Sequence, residues 1–98
     1  MELEFHRLVA SDVSRIMQYY EEEVGQSDLA VDFYAELRAF FAKAAEAPES
    51  YSVREGDIRR VNLERFPYHF LFRIVSGRIR VLVVRHHGRD PALGRSRR

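Results

Sequence analysis

Acidic and apolar residues alternate through Glu2, Leu3, Glu4, Phe5 and His6, and this period predicts a strand over residues 2–8 with one solvated face. Ser11 or Asp12 is placed to cap a helix whose apolar stripe is Val13, Ile16, Met17, Tyr20 and Val24. Gly25 ends it, because the position after a helix often needs a positive φ. Ser27 or Asp28 opens a second helix, with Leu29, Phe33, Leu37, Phe40, Phe41 and Ala44 on its buried face and Pro48 as its stop. Residues 48–57 read as a loop. The period then changes. Residues 58–63 form a short strand, Pro67 leads into a second over 68–75, Ser76-Gly77 is a hairpin turn, and 78–85 is a third.

The pattern predicts an α+β domain in the order β-α-α-β-β-β, a helical hairpin on one face of a mainly antiparallel four-stranded sheet. The last two strands are apolar on both parities near their middles, so they belong at the sheet centre. Ninety-eight residues suit one domain over 1–98, with 87–98 a basic tail that is ordered only if it docks. Seven Phe and five Tyr supply the core. There is no Cys, hence no disulfide and no thiol chemistry. No segment has the length of a signal peptide's apolar core or a membrane span, so a cytoplasmic protein that avoids membranes is expected.

The net charge of +1 conceals a split. Residues 1–50 carry four basic and eleven acidic side chains, while 51–98 carry twelve and four. One face is therefore expected to meet an anionic partner. On the middle predicted strand His69, Leu71 and Arg73 share one parity, and the apolar set Tyr68, Phe70, Phe72 and Ile74 shares the other. The apolar set should meet the helices, leaving His69 and Arg73 on the open face. If Arg78, Arg80, Leu82, Val84 and His86 form the open set of the last strand, His86 and Arg80 join them. For phosphate cleavage His69, His86, His87 and Tyr68 are the proton-transfer candidates, with Arg59, Arg60, Arg73, Arg85 and Arg89 as electrostatic clamps. Arg89-Asp90-Pro91 also reads as a structural ion pair with a turn, and Arg95, Arg97 and Arg98 as a loose tail. Two adjacent His without a third ligand imply no metal, and the scattered glycines imply no phosphate loop or cofactor.

Four segments carry a family resemblance. They are Tyr19-Tyr20-Glu21, the Phe33 to Pro48 helix, Ile58-Arg59-Arg60-Val61 with Arg65-Phe66-Pro67-Tyr68, and Val81 to Val84 leading into His86-His87-Gly88-Arg89-Asp90-Pro91. Across residues 3–97 the chain resembles the RelE/ParE toxins of type II toxin–antitoxin systems, including proteins called plasmid stabilisation proteins. One departure is that Gly94 stands where such proteins commonly have Trp, while Arg97 keeps their final Arg. The resemblance implies a growth-inhibiting toxin neutralised by a cognate antitoxin, as a homodimer or a toxin–antitoxin heterotetramer. RelE-like members cleave mRNA on the ribosome, and ParE-like members inhibit DNA gyrase without hydrolysing nucleic acid. The chain lacks the Lys cluster and C-terminal Tyr typical of the nucleases, which places it nearer ParE. In the nuclease alternative His86, His69, Arg73 and Arg85 would be catalytic. Arg59, Arg60, Arg80 and Arg89 are candidates for binding the target or an anion. A third reading is a non-toxic remnant that binds a partner only.

Overall fold

The computed structural model describes all 98 residues. Strand β1 (Glu2–Phe5) leads into helix α1 (Val9–Gln18), which continues as a π-turn over Tyr19–Glu23, and α2 (Ser27–Glu46) returns antiparallel to it. Strands β2 (Val53–Glu55), β3 (Ile58–Asn62), β4 (Tyr68–Val75) and β5 (Arg78–His86) follow. The sheet order is β1-β5-β4-β3-β2, with β1 parallel to β5 and every other pair antiparallel. The two strands apolar on both parities, β4 and β5, lie inside the sheet as expected, with β4 at its centre. Ser76 (φ 51°) and Gly77 (φ 75°) make the tight turn between them.

The sheet has five strands rather than four. β2 lies where a loop was expected, because its three residues are exposed, show no alternation and pair with β3 through an irregular register. Helix α1 begins at Val9, earlier than the Ser11 or Asp12 start. Asp12 is not the cap; it sits buried in the first turn and faces the sheet.

The helices cover one face. Phe33 packs edge-on to Tyr68 at 5.3 Å and Phe41 to Phe70 at 4.7 Å, so the apolar parity of β4 is the helix-facing one. Phe33, Leu37, Phe70, Phe72, Ile79 and Val81 have no meaningful exposure, and they form the main core. A second, smaller cluster of Ile58, Leu71, Leu82 and Val83 lies on the opposite face.

Candidate functional site

The far face of the sheet, away from the helices, holds most of the strands' basic residues. Its geometry turns on one irregularity. Leu71 pairs with Val83 and Phe72 with Val81, so Leu82 is an extra residue in β5. A bulge of this kind reverses the alternation on its far side. Arg78 and Arg80 before it share the far face with Arg73, as the parity predicts, but after it Arg85 takes that face. His86 turns to the helix side, edge-on to Tyr68 at 5.2 Å. The expected grouping of His86 with His69 and Arg73 is therefore corrected: Arg85 occupies the place beside His69.

His69 is 1% exposed. Its Nε2 accepts from Arg85 Nε at 2.8 Å. An arginine Nε only donates, so the His69 proton resides on Nδ1, which donates to His87 Nδ1 at 2.9 Å. The two rings are nearly parallel, at 9°. His87 Nδ1 also lies 3.3 Å from Arg60 Nη2, which fixes it as an acceptor. The chain Arg85–His69–His87–Arg60 is closed, with both His69 nitrogens engaged. Burial, then the Arg60 and Arg85 charges, push the His69 pKa down to about 3. Burial and Arg60 also lower His87. Burial lowers Arg60 and Arg85 as well, Arg54 adding to the first and Arg60 to the second.

This arrangement fixes a pH dependence. The folded pKa of His69 lies below the unfolded value of about 6.5, so the unfolded chain binds the extra proton between those limits. The stabilisation is complete above pH ~6.5 and is lost as pH falls from there towards the folded value, by up to about 1.4 kcal/mol per pH unit. Urea midpoints measured at neutral pH and in mild acid should show this loss. His69→Gln should flatten it, and an unchanged slope in that variant would rule His69 out as its source.

The other candidates are dispersed. Arg73 pairs with Asp57 at 2.8 Å, and Arg78 and Arg80 pair with Glu4 from the neighbouring β1. Arg59 faces the helix side and donates to the Tyr51 carbonyl at 2.7 Å. Arg60 stands with Arg85, Arg54 and Arg95 around a small hollow of about 160 Å3. Arg89 forms no ion pair with Asp90; the Asp90 Oδ1 instead accepts from the Ala92 N–H at 2.9 Å, so this run is a turn without the expected bridge.

The C-terminal segment crosses the far face. Gly94 lies on Val83, Arg95 pairs with Glu55, Arg85 donates to the carbonyls of Pro91 and Leu93, and Arg80 reaches the Arg98 carbonyl. Arg97 ends at Asp12 beside β5, past the point where β1 stops. There Asp12 Oδ2 accepts from the Val84 N–H at 3.1 Å and from Arg97 Nη1 at 2.7 Å, and Arg97 Nη1 also donates to the Leu82 carbonyl at 3.1 Å. Sequence reasoning names these residues but not their partners: Asp12 reads as a cap, Arg97 as part of a loose tail, and His87 as a proton-transfer candidate, whereas Asp12 pairs with Arg97 and His87 with His69.

A helical hairpin laid on this mixed five-stranded sheet is an architecture shared with bacterial toxins. A structure from the chromosomal ParDE toxin–antitoxin system of P. aeruginosa matches with a TM-score of 0.76 at 21% identity, covering 88% of this chain and 95% of that one. The isolated E. coli RelE toxin matches with a TM-score of 0.59 at 15% identity, covering 92% and 87%. The E. coli RelBE toxin–antitoxin complex gives 0.59 at 15% identity, covering 90% and 98%. No curated protein sequence matches the chain. The model of the family described as the ParE toxin of type II toxin–antitoxin systems, parDE, matches residues 3–91. The chain belongs to the ParE toxin family.

Proposed function

We propose that this protein is the toxin of a type II toxin–antitoxin pair that arrests growth by binding a cellular target, DNA gyrase, without cleaving RNA, and that it works in the cytoplasm. The observation that carries the non-hydrolytic reading is the state of His69. A ring sealed from solvent, with both nitrogens bonded and its pKa driven to about 3, neither gives nor takes a proton from a substrate at neutral pH. Arg60 and Arg85 beside it supply charge but no proton transfer.

A specific observation keeps the RelE-like nuclease as the rival: His86 is exposed beside Tyr68 and in the same cleft as Arg89. Expression of the chain alone in bacteria should stop growth, with purified protein inhibiting gyrase supercoiling and no new internal mRNA ends. New ends that disappear in His86→Ala would overturn the gyrase reading in favour of the nuclease. Undisturbed growth would leave only a binding remnant.

A cognate antitoxin is proposed for the opposite side of the molecule. Leu3, Phe5, Val13, Met17, Tyr34 and Phe41 line an apolar groove of about 1040 Å3 between β1 and the two helices, with Arg7 and Arg38 on its rim. An amphipathic segment with an acidic flank complements it. Phe5→Glu should weaken antitoxin binding roughly thirtyfold, the loss typical of a central anchor. Co-purification with the product of the neighbouring gene measures this, and undiminished capture would place the antitoxin elsewhere.

A further inference from the structure

Helix α1 separates two concavities. One is the groove already described. The other lies between the end of α1 and the end of β5, a cleft of about 190 Å3 walled by Arg15, Tyr19, Tyr68, His86, Arg89 and Leu93. Residues far apart in the chain converge here; Arg85 of the His69 network also lines the cleft and holds the Leu93 carbonyl, but the side chains of these six are not part of that network.

The polar groups of the cleft are unevenly committed. Asp12 at its base is satisfied by Arg97 and the Val84 N–H. Arg15 touches Asp12 at 3.1 Å, but its side chain is 69% exposed and shares that carboxylate with Arg97. Arg89 has no carboxylate, since Asp90 is turned to the Ala92 N–H. His86 Nδ1 accepts from the Gly88 N–H at 2.8 Å, which leaves Nε2 as its free nitrogen. Ile16 and Val84 complete the apolar lining. The π-turn that starts at Tyr19 leaves this ring half exposed on the wall, while Tyr20 next to it is buried in the core.

We propose that this cleft docks a segment of a partner protein that carries a carboxylate next to an apolar or aromatic side chain. The carboxylate would sit among Arg15, Arg89 and His86, and the apolar group against Tyr19, Tyr68 and Leu93. Guanidinium forks hold a carboxylate in two places at once, and the aromatic walls favour a flat or branched side chain. Charge complementarity favours a peptide over a nucleic acid. Glu21, Glu22 and Glu23 follow the Tyr19-Tyr20 pair in the same π-turn. They would repel a running phosphate chain, whereas a single carboxylate is outweighed by the cations at the cleft. The proposal goes beyond the toxin reading and does not depend on it.

An array of immobilised random short peptides, probed with the labelled full chain, tests this. Bound peptides should be enriched in Asp or Glu adjacent to Phe, Tyr or Leu. The double variant Arg15→Ala/Arg89→Ala should bind them roughly tenfold more weakly or worse, as expected for lost charge-assisted hydrogen bonds. Tyr19→Ala, which leaves the net charge unchanged, should also weaken binding and so separate a built cleft from general basicity. Phe5→Glu should bind like the parent, so an error about the antitoxin groove does not affect the result. The proposal is overturned by peptides with no acidic preference, by equal binding of the double variant or of Tyr19→Ala, or by displacement with a single-stranded oligonucleotide.

Discussion

Replacing Asp12 with Ala should destabilise the fold by about 3 kcal/mol, the cost of removing one partner from a buried ion pair. The Asp12 side chain is 3% exposed and that of Arg97 13%. Both carboxylate oxygens are in use: Oδ1 meets Arg15 at 3.1 Å and Arg97 Nη2 at 3.2 Å, and Oδ2 meets Arg97 Nη1 and the Val84 N–H. Their removal leaves a largely buried guanidinium without its counter-charge and a buried amide without an acceptor. Arg97→Ala should cost less, because Asp12 keeps Arg15 and the Val84 N–H. The double variant should be less destabilised than the sum of the singles, since the two residues act on one another directly. Urea denaturation of the four proteins measures this cycle. A change below about 0.5 kcal/mol for Asp12→Ala, the range of ordinary surface substitutions, would show that the pair holds nothing in place.

The second large effect is expected at Gly94. Its φ is +83°, and a Cβ built there would lie 2.5 Å from Val83 Cβ. Gly94→Ala should therefore cost about 2 kcal/mol from overpacking and backbone strain together. Asn tolerates a positive φ better than Ala does. If Asn fares no better, space rather than backbone conformation sets the limit. Gly94→Trp should lift the segment off Val83 and expose Arg95 and Arg97 to trypsin. A Trp variant as resistant as the parent would mean that the far face has room for a large side chain. At Gly94 the backbone lies directly against Val83 of the sheet.

Part of the candidate site is legible in the sequence. Parity alone put His69 and Arg73 on the far face, because Tyr68, Phe70 and Phe72 needed the helices more. The same reasoning failed for His86 at an identifiable place. Val81-Leu82-Val83-Val84 is apolar at every position, so nothing in the run marks where alternation slips by one residue. Bulges are visible in sequence only when polar and apolar residues alternate across them. The pairing of His87 with His69 is hidden in the sequence for a related reason. A histidine beyond a strand end reads as solvated unless its partner's position is known, and His69 is 18 residues away.

By itself, the sequence determined the α+β class, the helical hairpin, the central place of β4 and β5 and the ParE resemblance. All four rest on local periodicity and on motifs read in order, which survive without knowledge of contacts. Only the tertiary structure decided the fifth strand, the extra residue at Leu82, the sealed state of His69 and the pairing of Asp12 with Arg97. These depend on how elements meet, from the irregular β2–β3 pairing to the contact of Asp12 with Arg97 across 85 residues of chain. Burial and charge at such a meeting point are properties of the assembled surface rather than of any segment. For that reason the basic C-terminal half, legible as a charge pattern, resolves only in the fold into neutralised arginines, a closed histidine network and Arg89 without a carboxylate beside the His86 cleft.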